Sequence, residues 1–247
     1  MSHQEVYYTP PELVDIDARI LKITGQEAHH IRTVVRHTSG DKAIVVDGCG
    51  KAFWVALSIE QQGIITGTIE KEERNLGESK TNIGVIIPPL KGHRMDTVIE
   101  KGTELGISSF YIPNVKNAVA RVTASKLDRW HRIALSAMKQ CCRSVCPSVQ
   151  QYPNLKEALT AIKTAGVIVL YADMGKPPLS RSMFPKSLFQ ENSKAGVVVA
   201  VGPEGGFSDE EILLLQKQGA IPFGLGPRRL RSETAVLAAL AQINALL

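Results

Sequence analysis

Two glycine-centred turns in the last fifth of the chain carry residue types that could build a small-molecule site largely from main chain. The first reads Gly202-Pro203-Glu204-Gly205-Gly206-Phe207-Ser208 and follows the apolar run Val197–Val201. The second reads Leu225-Gly226-Pro227-Arg228-Arg229-Leu230-Arg231-Ser232-Glu233-Thr234 and precedes an apolar segment that runs on to residue 247. Glycine at a strand-to-helix turn lets backbone N–H and C=O groups come close to a ligand. Phosphate is a poor fit to the first turn. No Lys-Ser/Thr pair follows its glycines, and Glu204 would repel an anion. A cationic or neutral ligand with hydroxyls and a base edge fits better. S-adenosylmethionine, a sulfonium joined to adenosine, meets that description. The same pattern is open to a plainer reading, two ordinary βα turns in which glycine serves geometry alone.

The elements that must position these turns are legible as changes of hydrophobic period. Residues 1–72 hold short β-like runs, Arg19–Ile23, Lys42–Asp47, Ala52–Ile59 and Gly63–Glu70, punctuated by glycines. One helical pattern lies among them, Gln26 to His37, with Ala28, Ile31, Val34 and Val35 apolar. A small β-barrel-like module is expected there. Residues 73–82 are polar and read as a linker. Residues 83–247 then alternate nearly unbroken apolar strands (Ile83–Ile87, Ser108–Ile112, Val167–Tyr171, Val197–Val201, Ile221–Leu225) with helical stretches. That alternation predicts an α/β domain with a buried parallel sheet.

Helix signals are specific at three places. Ser208-Asp209-Glu210-Glu211 matches a capping box, with Gly219 as a stop. Ser125 to Cys142 has helical spacing that places Trp130 in a core or interface. The last segment, from Ala235 onward, is apolar nearly all round. It therefore needs cover on most sides, from its own domain and from a second subunit, and a homodimer is expected.

Composition narrows the class. The chain has 247 residues, 44% of them apolar, and a net charge of +5. Residues 1–72 carry 7 basic and 10 acidic residues, whereas residues 88–143 carry 10 basic and 4 acidic. A polyanion would be drawn to the latter stretch. No apolar run approaches the roughly 20 residues needed to span a bilayer. The start, Met1-Ser2-His3-Gln4-Glu5, has neither a basic region nor an apolar one, so a cytoplasmic protein is expected. Of the four cysteines, Cys141, Cys142 and Cys146 cluster, but their spacing lacks a zinc pattern. Free thiols and no metal are expected, as in a reducing compartment.

Several motifs resemble one family. They are the runs Val201–Ser208 and Leu225–Ala235, and His29-His30 followed by Ile31 and Arg36. Pro89-Leu90-Lys91-Gly92 with Arg94, Lys101 with Glu104-Leu105-Gly106, and Gln140 with Arg143 and Pro147 complete them. Together they are similar to the ribosomal RNA small subunit methyltransferase E family of the SPOUT methyltransferases, over nearly the whole chain. Ser232 departs from the family's threonine but keeps the hydroxyl, and Cys141-Cys142-Arg143 differs from its small-residue pattern. The resemblance implies a PUA-like first domain for RNA and a SPOUT domain with a deep trefoil knot that dimerises. It implies methylation of N3 of a uridine in the decoding region of 16S ribosomal RNA, on the assembled 30S subunit.

For cofactor holding the resemblance points to Leu170, Gly202, Glu204, Gly205, Leu225, Gly226, Leu230 and Thr234. For RNA docking it points to His29, His30, Arg32, Arg36, Lys91, Arg94 and Arg143, arginine offering phosphate a planar fork. His29 and His30 could equally cap or pack a small helix. For the chemistry, Arg231 is expected to stabilise charge on a uracil carbonyl, with Glu233 or Glu204 as the base. An alternative role for Glu233 is to order the loop by pairing with an arginine. Two other functions stay open: a SPOUT enzyme that methylates ribose 2′-O in tRNA or rRNA, and a non-catalytic RNA-binding assembly factor.

Overall fold

The computed structural model describes residues 5–59, 63–162, 166–190 and 195–247. The reading of the first four residues as free of a leader lies outside them. The chain forms two compact units, Met1–Glu78 with Leu135–Cys146, and Ser79–Ala134 with Pro147–Leu247.

The first unit is a six-stranded sheet with one short helix. Its strands are β1 (Val6–Tyr8), β2 (Val14–Asp15), β3 (Ile20–Ile23), β4 (Lys42–Val46), β5 (Lys51–Ile59) and β6 (Ile65–Arg74), in the order β1-β4-β5-β6-β3-β2. Pairing is antiparallel except between β1 and β4. Alternating residues Phe53, Val55 and Leu57 of β5 meet Leu21, Ile23, Val45, Ile65 and Ile69 in one core. Helix α1 (Gly25–His30) runs into a π-helical turn, Ile31–Val35, and seats Ala28 and Ile31 in that core. The turn ends at Arg36, whose φ of 62° is left-handed. The expected helix over Gln26–His37 is thus present with a changed last turn. The sequence reading ended this domain at residue 72. The unit runs to Glu78 and also takes in 135–146, where Met138 joins a second core with Val6, Ile44, Val46 and Ala52.

The second unit is an α/β layer structure. Strands β7 (Asn82–Ile86), β8 (Ile107–Pro113), β9 (Ser148–Tyr152), β10 (Val167–Ala172), β11 (Gly196–Ala200) and β12 (Ile221–Phe223) are all parallel, in the order β12-β10-β11-β7-β8-β9. The helices are α2 (Arg94–Glu104), α3 (Ala124–Gln140, its last turn in the first unit), α4 (Leu155–Ala161), α5 (Asp209–Lys217) and α6 (Ser232–Leu246). Leu155 and Leu159 of α4 and Leu215 of α5 cover one face, against Ile86, Tyr171, Val198 and Ala200. Phe110 points to the opposite face, and α2 packs there at Gly102, where a Cβ would fall 3.0 Å from the Phe110 ring. Helix α6 lies against α2, with Val236, Ala239, Leu240 and Ile243 fully buried. Trp130 is 3% exposed, as its helical spacing required.

The capping box at α5 forms as read. Ser208 Oγ accepts from the Glu211 amide at 3.4 Å and Glu211 Oε2 accepts from the Ser208 amide at 2.8 Å. Its carboxylate also accepts from the Lys116 amide at 2.9 Å, which ties the β8–α3 connection to this helix start. Ser208→Ala should cost about 1 kcal/mol and lower the melting temperature by roughly 2–4 °C, read by circular dichroism.

Candidate active site

In a parallel sheet every strand ends at the same edge, and ligands gather there. Three connections meet at that edge: the segment after β10, the glycine turn after β11 and the glycine-arginine turn after β12. Together they enclose a cleft of about 390 Å3. Its wall includes Tyr171 and Ala172 at the end of β10, Asp173 and Met174 from the first connection, Val201–Phe207 from the second, and Leu225, Gly226, Arg228, Arg229 and Leu230 from the third. Ser232 and Ala235, at the start of α6, complete it.

The first glycine turn is held from four sides. Ser232 Oγ donates to the Gly202 carbonyl at 2.9 Å, so the hydroxyl that departs from the expected threonine fastens one turn to the other. Arg229 Nη2 donates to the Glu204 carbonyl at 2.9 Å. Asn117 Nδ2 donates to the carbonyls of Gly205 and Gly206 at 3.3 and 3.1 Å. Arg94, the first residue of α2, binds Glu204 Oε1 through Nη1 at 2.6 Å and has its Nε 3.7 Å from Glu233 Oε1. The turn is tight enough to demand glycine at position 202 and leaves little room at 205. A Cβ on Gly202 would lie 2.9 Å from the Phe207 nitrogen, and one on Gly205 3.1 Å from Asn117 Cβ.

Glu233 sits in the first turn of α6, where a carboxylate suits the helix dipole. Its Oε2 is buried and has no hydrogen-bond partner among the described residues. An acceptor left unsatisfied in this way is costly and marks a place for a donor.

Of the sequence-derived residues, Gly202, Glu204, Gly205, Leu225, Gly226 and Leu230 line the cleft. Leu170 does not. It is fully buried inside the sheet, and the cleft begins with the two residues that follow it, Tyr171 and Ala172, at the strand's end. Thr234 and Arg231 are exposed outside the wall, one in the first turn of α6 and the other at its N-cap. Glu233 is brought to the site through Arg94 rather than through the wall itself.

His29, His30 and Arg36 are exposed and Arg32 is half-buried on the helical turn of the first unit. Lys91 is exposed on the turn before α2. Arg143 differs from its expected role. It is 2% exposed, and its guanidinium is bound to Glu78, so in this structure it offers no surface to a polyanion. The cysteines carry no disulfide, and burial pushes the Cys146 thiol up to about 11.

Asn117, Tyr171, Asp173, Arg228 and Arg229 were given no role from sequence. Arg228 and Arg229 stand inside the second motif, so their place was legible. Asn117 lies 88 positions from Gly205, and no local pattern announces it.

A cleft of glycine turns at the carboxyl edge of a parallel sheet, walled by main chain, apolar side chains, two carboxylates and two arginines, is the usual place for a ligand in such a fold. The model of the RNA methyltransferase domain family matches residues 77–244. Ribosomal RNA small subunit methyltransferase E of Synechocystis is 32% identical over 240 residues, 96% of this chain and 76% of the relative. Its counterpart in Bacillus subtilis is 30% identical, covering 92% and 91%. The solved structure of the Neisseria gonorrhoeae enzyme of that name, bound to S-adenosyl methionine, is 28% identical and superposes with a TM-score of 0.83 over 99% of this chain and 98% of that one. The chain belongs to the ribosomal RNA small subunit methyltransferase E family.

Proposed function

We propose that this chain transfers a methyl group from S-adenosylmethionine to N3 of a uridine in 16S ribosomal RNA, in the decoding region of the assembled 30S subunit. The observation that carries the reading is the cleft: three strand-end connections, two of them glycine turns, with carboxylates and arginines set among main chain and apolar side chains. Leu225, Leu230 and Ala235 offer an apolar surface to an adenine. Gly202, Gly205 and Gly226 line the same cleft and let main chain approach its polar edges. Glu204 and Asp173 suit a cation. When bound, the cofactor supplies a methyl carbon made electrophilic by the adjoining sulfonium.

The chain's own residues then have two tasks. His29, His30, Arg32, Arg36, Lys91 and Arg94 dock the RNA through phosphates and bases. Glu233, with its unsatisfied buried oxygen, accepts the proton from uracil N3, and Arg231 steadies the charge left on a carbonyl oxygen. Arg231→Ala should lower turnover by about ten- to a hundredfold with cofactor affinity within about twofold of wild type. Equal turnover on 30S subunits would remove Arg231 from the chemistry.

The first unit acts as a PUA-like RNA-holding domain, and the second threads a trefoil knot. The close crossing of Gly224 against Lys176–Pro178 supports that path. Pairing of two copies along α6 would cover its half-buried Leu237 and Ala238 and exposed Ala241. No described helix is long and apolar enough to cross a membrane, and a cytoplasmic place beside the ribosome fits this reading.

The deciding experiment incubates the protein and labelled S-adenosylmethionine with 30S subunits lacking the modification. The RNA is then digested and analysed by mass spectrometry. 3-Methyluridine at a single 16S position supports the proposal. Label on a ribose 2′-O, or on tRNA, overturns the target, and cofactor binding with no transfer to any RNA overturns catalysis in favour of an assembly factor.

A further inference from the structure

Arg94 is shared between a ligand cleft and the surface beside it. Its guanidinium binds Glu204 and faces Glu233, yet 37% of the side chain is exposed. It directly follows the exposed turn Lys91-Gly92-His93. Glu204 lines the cleft and Arg94 does not. One of the two carboxylates in the wall is therefore neutralised from behind. An ion pair this exposed is weak and open to competition. Phosphate is a fit competitor, since its oxygens take a guanidinium fork as a carboxylate does.

We propose that Arg94 is a positioning residue that couples RNA binding to the charge of the cofactor. This rests on reading the cleft as an S-adenosylmethionine site and the chain as an RNA methyltransferase. With Arg94 on Glu204, the cleft shows a reduced negative charge to a sulfonium. When an RNA phosphate draws Arg94 toward the Lys91 turn, Glu204 regains its charge and holds a cationic ligand more tightly. Glu233 loses the same partner. Because coupling is reciprocal, a cationic ligand tightens RNA by the same factor. The thioether product has lost the sulfonium charge, so the coupling ends with the reaction and both products are held less firmly than both reactants.

The test compares two ligands by equilibrium dialysis, with and without saturating unmethylated 30S subunits. One is sinefungin, a cationic analogue that cannot give up a methyl group. The other is neutral S-adenosylhomocysteine. In the wild type, 30S subunits should tighten sinefungin about three- to tenfold, the scale of one screened charge contact, and leave S-adenosylhomocysteine unchanged. In Arg94→Gln, sinefungin should bind tighter by about that factor without 30S, and 30S should add nothing. Arg94→Lys, which keeps the charge, should retain part of the coupling.

Arg94→Gln weakening both ligands alike would make Arg94 a prop for the glycine turn and overturn the proposal. Coupling that is equal for both ligands, or that survives in Arg94→Gln, would overturn it as well. If the wild type bound neither ligand, the cofactor reading itself would fall, a result distinct from all of these.

Discussion

Replacing Gly224 with alanine should abolish cofactor binding, by at least about a hundredfold (~3 kcal/mol) where the protein still folds. A Cβ at this position would lie 2.0 Å from the Lys176 carbonyl oxygen and 3.0 Å from its carbon. Both are backbone atoms, so no side-chain rotation relieves the overlap. The two segments are also hydrogen-bonded in register. Gly224 N donates to the Pro177 carbonyl at 2.7 Å and Asp173 N to the Phe223 carbonyl at 2.9 Å. Relief must therefore drive apart the connection after β10 and the turn after β12, which are two of the three walls of the cleft. Gly226→Ala is the control. It has a φ of 97° and open space around its missing Cβ, so alanine there meets conformational strain without collision. Its loss should be nearer tenfold, about 1–2 kcal/mol. Titration calorimetry with S-adenosylmethionine on both variants, beside a melting curve for each, reads the difference. Equal losses would mean that backbone conformation, not the crossing, governs this edge.

Much of the second unit was legible because its signals are local. An apolar run such as Val197–Val201 can hardly be anything but a buried strand, and the capping box at Ser208 forms from four consecutive residues. Strand β9 was missed because it is an edge strand. Its sequence Ser148-Val149-Gln150-Gln151-Tyr152 has one fully buried residue, so it lacks the apolar run that marked the others. Strands β1 and β2, of three and two residues, are too short to show a period. Strand β12 stops at Phe223, short of the expected Leu225, because the close approach at Gly224 ends the ladder.

The site was legible in its main chain and much less so in its side-chain partners. The glycines that line the cleft stand inside the two motifs. The residues that fasten them come from elsewhere in sequence: Asn117 from the β8–α3 connection and Arg94 from α2. Arg94 illustrates the limit. A basic residue beside Lys91 reads as a phosphate contact, and its exposure is consistent with that. Its pairing with Glu204, 110 positions away, depends on how β7 and β11 are placed side by side in the sheet. The alternative role of Glu233, pairing with an arginine, has its counterpart in Arg94 at 3.7 Å.

Arg143 went further astray, and it carries the second large effect. Arg143→Met should destabilise the first unit by about 3–5 kcal/mol, because it strands a buried carboxylate. The guanidinium meets Glu78 through Nε at 3.2 and 3.1 Å and through Nη2 at 2.7 Å, and the two side chains are 3% and 12% exposed. Glu78 also accepts from the amides of Ser144 and Val145 at 3.2 and 3.0 Å. The backbone around this pair is closely fitted. Cys142 has a φ of 58°, and a Cβ on Gly77 would fall 2.5 Å from its carbonyl oxygen. In Arg143→Met the carboxylate keeps its two amide donors but loses its counter-charge. The double variant Arg143→Met with Glu78→Gln should recover most of the loss. Glutamine still accepts from both amides, and no charge is left buried. Melting curves should show a fall of roughly 10 °C for the single variant and much less for the double. A single variant that melts like wild type but loses affinity for 30S subunits would return Arg143 to the RNA-binding surface.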